Sequence, residues 1–141
     1  MNLYAESSAV LAWLFEEPSA GQVGELLRKA EMVVASDLTL VECSRALVRA
    51  GVVGDLSEYE AAGRRRVLES TATEWNVLAM GEEVVQQARR RFPCEPVRTL
   101  DALHIASALT ARRLIPDLAL LSLDKRVREN GSALGFDVLP A

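Results

Sequence analysis

The chain has one histidine and two cysteines in 141 residues, and that scarcity excludes several chemistries before any motif is read. Cys43 and Cys94 lie far apart and lack the Cys/His spacing of a zinc site or a redox pair, so free thiols in a reducing compartment are expected. Aromatic residues make up only 5% of the chain, which leaves Ala, Leu and Val to build the core. Long hydrophobic runs are also missing. The longest early one, Ala9 to Phe15, follows Glu6 without a basic region before it and is too short to span a bilayer. With no export or membrane signal in view, the sequence predicts a cytoplasmic protein. Cationic charge is short as well: 16 Lys and Arg against 20 Asp and Glu give a net charge of −4. That balance argues mildly against nucleic acid, unless local basic patches hold it.

What is there is globular. Half of the residues are apolar and 26% are charged, a balance that suits one folded domain over residues 1–141 with a core needing no disulfide or structural metal. Asn2 to Glu6 reads as a strand, and Ser7-Ser8 supplies capping hydroxyls before Ala9, Val10, Trp13 and Leu14 recur at helical spacing. Pro18-Ser19 opens a second helix through Ala30, and Met32 to Ala35 is a compact buried strand. Ser36-Asp37 caps a helix that is expected to stop at Gly51. A polar helix from about Asp55 to Glu69, a strand from Trp75 to Ala79 and a helix from Glu82 to Phe92 follow. Pro93 and Pro96 bracket a loop. Thr99 to Leu114 is strongly helical, Leu118 to Leu123 is an apolar strand, Lys125 to Leu134 is helical, and Phe136 to Leu139 closes the chain as a strand.

Strands that alternate with helices and are apolar throughout belong to a parallel sheet covered on both faces. The fold class is therefore α/β, with a central sheet of four to five strands and helices on either side. In such sheets the ligand crevice lies beyond the carboxyl ends of the strands. Four carboxylates fall there: Glu6 ends the first strand, Glu42 lies about one turn into the helix after the second, Asp101 opens a helix, and Asp124 ends the fourth strand. Each has an ordinary structural explanation: Asp124 as an N-cap, Asp101 as a complement to the helix dipole after a Thr99 cap, Glu42 as a solvated helix residue. Together they repel, and would raise one another's pKa unless a cation neutralised them. Hard oxygen donors with room for water and phosphate suit Mg²⁺ or Mn²⁺, whereas zinc favours the His and Cys this chain almost lacks. A divalent ion so held activates water for phosphodiester cleavage.

Four stretches carry a family resemblance: Leu3-Tyr4-Ala5-Glu6-Ser7-Ser8-Ala9-Val10, Ser36-Asp37-Leu38-Thr39-Leu40-Val41-Glu42, Arg98-Thr99-Leu100-Asp101-Ala102-Leu103-His104-Ile105-Ala106, and Leu121-Ser122-Leu123-Asp124 through Leu134-Gly135. In this order they resemble a PIN domain of the VapC toxin type, with the Thr-Leu-Asp-Ala-Leu-His block the most specific. The resemblance implies a metal-dependent ribonuclease, the toxin of a toxin–antitoxin pair, working as a homodimer and masked by a cognate antitoxin protein. It also implies that Glu42, Asp101 and Asp124 form the acidic metal site, with Thr99 as a supporting hydroxyl. At Glu6 the chain departs from the pattern, which has aspartate. The added methylene moves the carboxylate by roughly 1.5 Å, and Mg²⁺ tolerates poor octahedral geometry badly, so Glu6 is expected to be a displaced or water-mediated ligand.

His104 lies three residues after Asp101 on the same helical face, and a packed, hydrogen-bonded histidine supporting the site is expected there. The runs Arg64-Arg65-Arg66, Arg89-Arg90-Arg91 and Arg112-Arg113 fan around their helices and read as solvated faces. Lys125, Arg126 and Arg128 follow Asp124 and are the better candidates for an RNA path. Two alternatives stay open: a catalytically attenuated module that binds RNA or protein, and a metal-assisted hydrolase of small phosphate esters.

Overall fold

In the computed structural model, which describes residues 1–141, five strands form a single parallel sheet in the order β3-β2-β1-β4-β5. The strands are β1 (Asn2–Ala5), β2 (Met32–Ser36), β3 (Asn76–Leu78), β4 (Leu118–Leu121) and β5 (Val138–Leu139). Between them run α1 (Ser7–Leu14), α2 (Ala20–Lys29), α3 (Asp37–Val53), α4 (Glu58–Ala72), α5 (Glu82–Ala88), α6 (Thr99–Leu114) and α7 (Lys125–Ala133). The expected parallel α/β architecture is what forms.

Side-chain alternation along the central strands divides the core in two. Tyr4, Val34, Leu118 and Leu120 point to one face, where they pack with Ile105 and Ala108 of α6 and Val127 of α7. Leu3, Ala5, Val33, Ala119 and Leu121 point to the other, against Val10 and Leu14 of α1, Val23 of α2 and Cys43 and Leu47 of α3. Since both faces are covered, successive residues of a strand are all apolar. Helix α7 lies unusually close to the sheet: a Cβ on Gly131 would come within 2.4 Å of Leu120 Cδ2, so glycine there sets how near α7 approaches β4.

Several boundaries differ from expectation. Helix α3 continues through Gly51 and ends at Val53, because the left-handed cap falls on Gly54 at φ 86°; a glycine inside a helix is merely unfavourable, whereas a positive φ requires one. Helix α4 starts later than expected, at a Ser57–Glu60 capping box whose Ser-x-x-Glu signature is visible in the sequence. Helix α5 stops at Ala88, and past it Glu95 bonds the Phe92 N–H at 2.8 Å and the Val97 N–H at 2.6 Å. That carboxylate organises the loop before α6.

Strand order reverses direction around β1: the chain first builds outward through β2 and β3, then crosses to β4 on the other side. This switch opens a crevice beyond the carboxyl ends of β1 and β4. It is where the acidic residues arrive.

Candidate functional site

Asp101 and Asp124 face a shared depression of about 460 Å³, walled by Arg98, Lys125, Arg126 and the Pro96-Val97 segment. A larger hollow of about 650 Å³ lies near the start of β2 and β3 beside Met32, Trp75 and Asn76, away from the carboxyl ends of the strands. Asp101 sits in the first turn of α6. Burial raises its pKa above the ordinary 3.8, and the neighbouring charges of Asp124 and Glu6 push it further up. Asp124 caps α7, its Oδ1 accepting the Val127 N–H at 2.9 Å. It therefore serves as an N-cap while also facing the depression.

Glu42 is engaged from the interior side. Its Oε1 accepts from Ser7 Oγ at 2.8 Å and lies 2.5 Å from His104 Nε2. Burial pushes this carboxyl up, but the hydrogen bonds from His104 and Ser7 and the charge of His104 outweigh it and hold the pKa below the ordinary 4.5. An ionised carboxylate only accepts, so Nε2 carries the proton. Nδ1 lies 3.3 Å from the Tyr4 hydroxyl, and His104 as a whole is 1% exposed. The packed, hydrogen-bonded histidine expected from sequence is what the fold contains. Tyr4 beneath it is pushed up to about 12 by burial, and the buried Cys43 thiol likewise rises to about 12 from burial and the charges of Glu42 and Glu6. Both stay protonated near neutrality, and the two cysteines are unpaired.

Glu6 is the most enclosed of the four acids, 4% exposed. It, and not Ser7-Ser8, is the N-cap of α1: its Oε1 accepts the Ser8 N–H at 3.1 Å. Its Oε2 accepts from the hydroxyls of Ser8 and Ser122, the latter at 2.7 Å. Ser8 Oγ in turn accepts the N–H groups of Leu123 at 2.8 Å and Asp124 at 3.1 Å. The sequence pattern marks Ser8 only as a capping hydroxyl and does not single out Ser122. The parallel pairing of Ala5 with Leu121 is what brings the two serines together.

Thr99 is exposed and is the first residue of α6; the cap itself is Arg98, which makes no side-chain cap bond. Arg128 is half-buried and its guanidinium is engaged on the protein itself, donating to the carbonyls of Ser122 and Pro140 at 2.8 Å each, and it does not wall the Asp101–Asp124 depression. Arg126 lies 3.1 Å from Glu129, and Lys125 is mostly exposed.

No three Asp, Glu, His or Cys side chains close into a ready-made metal cage. The donor chemistry nevertheless fits Mg²⁺, which keeps several waters and takes one or two carboxylates plus substrate phosphate in preference to an all-protein cage. Asp101 and Asp124 are such a pair, and a cation between them would offset both the burial and the neighbouring charge that raise the Asp101 pKa.

The PIN domain family model matches residues 3–132. Ribonuclease VapC46 of Mycobacterium tuberculosis is 33% identical over 97% of this chain and 95% of its own length. Among solved structures, VapC20 of the same organism, a sarcin-ricin loop cleaving toxin, superposes with a TM-score of 0.67 at 19% identity, covering 98% of this chain and 99% of that one. VapBC2 from Rickettsia felis, bound to a promoter DNA fragment, gives a TM-score of 0.64 at 8% identity over 98% and 97%. The chain belongs to the PIN-domain family.

Proposed function

We propose that this chain is a divalent-metal-dependent ribonuclease, the toxin of a toxin–antitoxin pair, built as one PIN domain over residues 1–141. The observation that carries it is the Asp101–Asp124 pair at the strand-order reversal, acid-lined within and flanked by Arg98, Lys125 and Arg126. Asp101 and Asp124 hold Mg²⁺ or Mn²⁺, with Glu42 beside them and Glu6 as the displaced fourth carboxylate. When bound, the ion supplies Lewis acidity and an acidified water for attack on the phosphodiester. Ser7 and His104 keep Glu42 ionised and aimed, Arg98 and Lys125 draw the RNA backbone over the acids, and Thr99 offers a hydroxyl at the rim.

Partners follow the same reading. The VapBC2 structure supports a cognate antitoxin protein as partner, and a homodimer of this chain is proposed beside it. Exposed Val41, Val52 and Val53 on α3 offer apolar surface for such contacts. The expected setting is the cytoplasm, and no helix is long and apolar enough to cross a membrane. The attenuated alternative is favoured by one fact, the hydroxyl-bound state of the Glu6 carboxylate.

Cleavage of single-stranded RNA and of a generic phosphate ester, measured side by side with Mn²⁺, tests the activity. RNA cleavage that outruns ester hydrolysis is expected. Ester hydrolysis alone points to a small-molecule hydrolase, and neither activity in antitoxin-free protein points to the attenuated module.

A further inference from the structure

Glu6 is not among the residues that wall the depression, and both oxygens of its buried carboxylate already accept hydrogen bonds. Oε1 is taken by the Ser8 N–H, and Oε2 by the hydroxyls of Ser8 and Ser122. The residue is nevertheless tied tightly to the site. Ser8 Oγ and Ser122 Oγ both accept the Asp124 N–H, each at 3.1 Å, and Ser8 Oγ also accepts that of Leu123. A hydroxyl that donates to a carboxylate presents its lone pairs elsewhere, and a charged acceptor shortens and strengthens such bonds. The chain thus runs from Glu6 through two hydroxyls to the backbone that carries Asp124.

We propose that Glu6 is a positioning residue: through Ser8 and Ser122 it fixes the turn presenting Asp124 to the metal, and it does not itself reach the ion. This rests on the metal-nuclease reading above. The longer side chain, which would misplace a direct ligand, is the length that reaches both hydroxyls across the β1/β4 seam. It also explains why neither serine is at a surface: Ser8 is half-buried, Ser122 is fully buried, and both are spent inside the network. Residues that orient metal ligands in this manner commonly alter metal affinity by roughly ten- to hundredfold when removed.

The experiment is Mn²⁺ binding, read by thermal shift and by electron paramagnetic resonance of the free ion, on antitoxin-free wild type and on Ser8→Ala, Ser8→Thr, Glu6→Gln and the Glu6→Gln/Ser8→Ala double variant. RNA cleavage is recorded in parallel. Expected are a roughly ten- to hundredfold weaker Mn²⁺ affinity in Ser8→Ala although no charge is removed, recovery in Ser8→Thr, which keeps the hydroxyl, and a double variant no weaker than Ser8→Ala alone, the mark of one shared pathway. Circular dichroism of each apo variant identifies any that fails to fold, and Ser122→Ala then replaces Ser8→Ala. Wild-type affinity in Ser8→Ala with loss in Glu6→Gln, or losses that add in the double variant, make Glu6 a direct ligand and overturn the proposal alone. Absence of Mn²⁺ binding by wild type overturns the metal-nuclease reading and the proposal with it.

Discussion

His104 Nε2 lies 2.5 Å from Glu42 Oε1 and 3.0 Å from Ser7 Oγ, so the one histidine of the chain joins α6 to α3 and α1 beneath the acidic crevice. Removing it leaves a buried hole and takes one of two donors from the Glu42 carboxylate. His104→Ala is expected to cost roughly 2–4 kcal/mol, a cavity plus a lost hydrogen bond to a charged acceptor, measured by urea unfolding. The pH profile should change too. Glu42, with its pKa lowered in the folded state, contributes stability that is present above about 4.5 and is lost as pH falls through the folded value. In His104→Ala that acid-side decline should shrink, and an unchanged profile would contradict the pairing.

Asp101 behaves in the opposite sense. A raised folded-state pKa contributes stability that is complete below the ordinary 3.8 and is lost as pH rises through the folded value. Ionised Asp101 therefore weakens the apo protein at neutral pH. Asp101→Asn should melt at the same temperature as wild type or higher in EDTA at pH 7, with that advantage disappearing on acidification below about 3.8. Melting well below wild type at pH 7 would mean that Asp101 has a structural partner.

An ion that binds only the folded site stabilises it by mass action. At a hundredfold excess of free Mn²⁺ over its Kd, the gain is about 2.7 kcal/mol, a rise in Tm of roughly 5–10 °C for a domain of this size. Differential scanning calorimetry of antitoxin-free protein reads it directly.

RNA affinity should fall with salt despite the acidic net charge. Each cation that contacts a single-strand phosphate adds roughly 0.7 to the slope of log affinity against log salt. Replacing Arg98, Lys125 and Arg126 by alanine should flatten that slope, whereas Arg128→Ala, which frees the Ser122 and Pro140 carbonyls, should lower Tm and leave the slope alone. A slope that depends on Arg128 and not on the other three would place the RNA path elsewhere.

The parallel sheet was legible because its strands are apolar without alternation, and Asp101 and Asp124 because each lies at a strand or helix end where a parallel sheet collects its ligands. Residue types and spacing also placed His104 below them. What stayed hidden depends on pairing across the chain. Ser8 and Ser122 meet over a separation of 114 residues, and no local pattern reports that two hydroxyls share one carboxylate. Direction was hidden as well: Arg128 stands near Asp124 in sequence, but its place on α7 turns it back onto the β4 end. Gly51 misled for a different reason, since a glycine near a helix end is a stop signal only where the backbone turns left-handed.

Metal-dependent RNA cleavage at Asp101 and Asp124 is tested by cleavage of single-stranded RNA by antitoxin-free wild type and Asp101→Asn across an Mn²⁺ titration. Wild type should cleave with a saturable dependence on Mn²⁺ and stop in EDTA. Folded Asp101→Asn, equal in size but without the charge a hard cation needs, should lose nearly all turnover. Undiminished cleavage by that variant, or wild-type cleavage that persists in EDTA, would contradict the account.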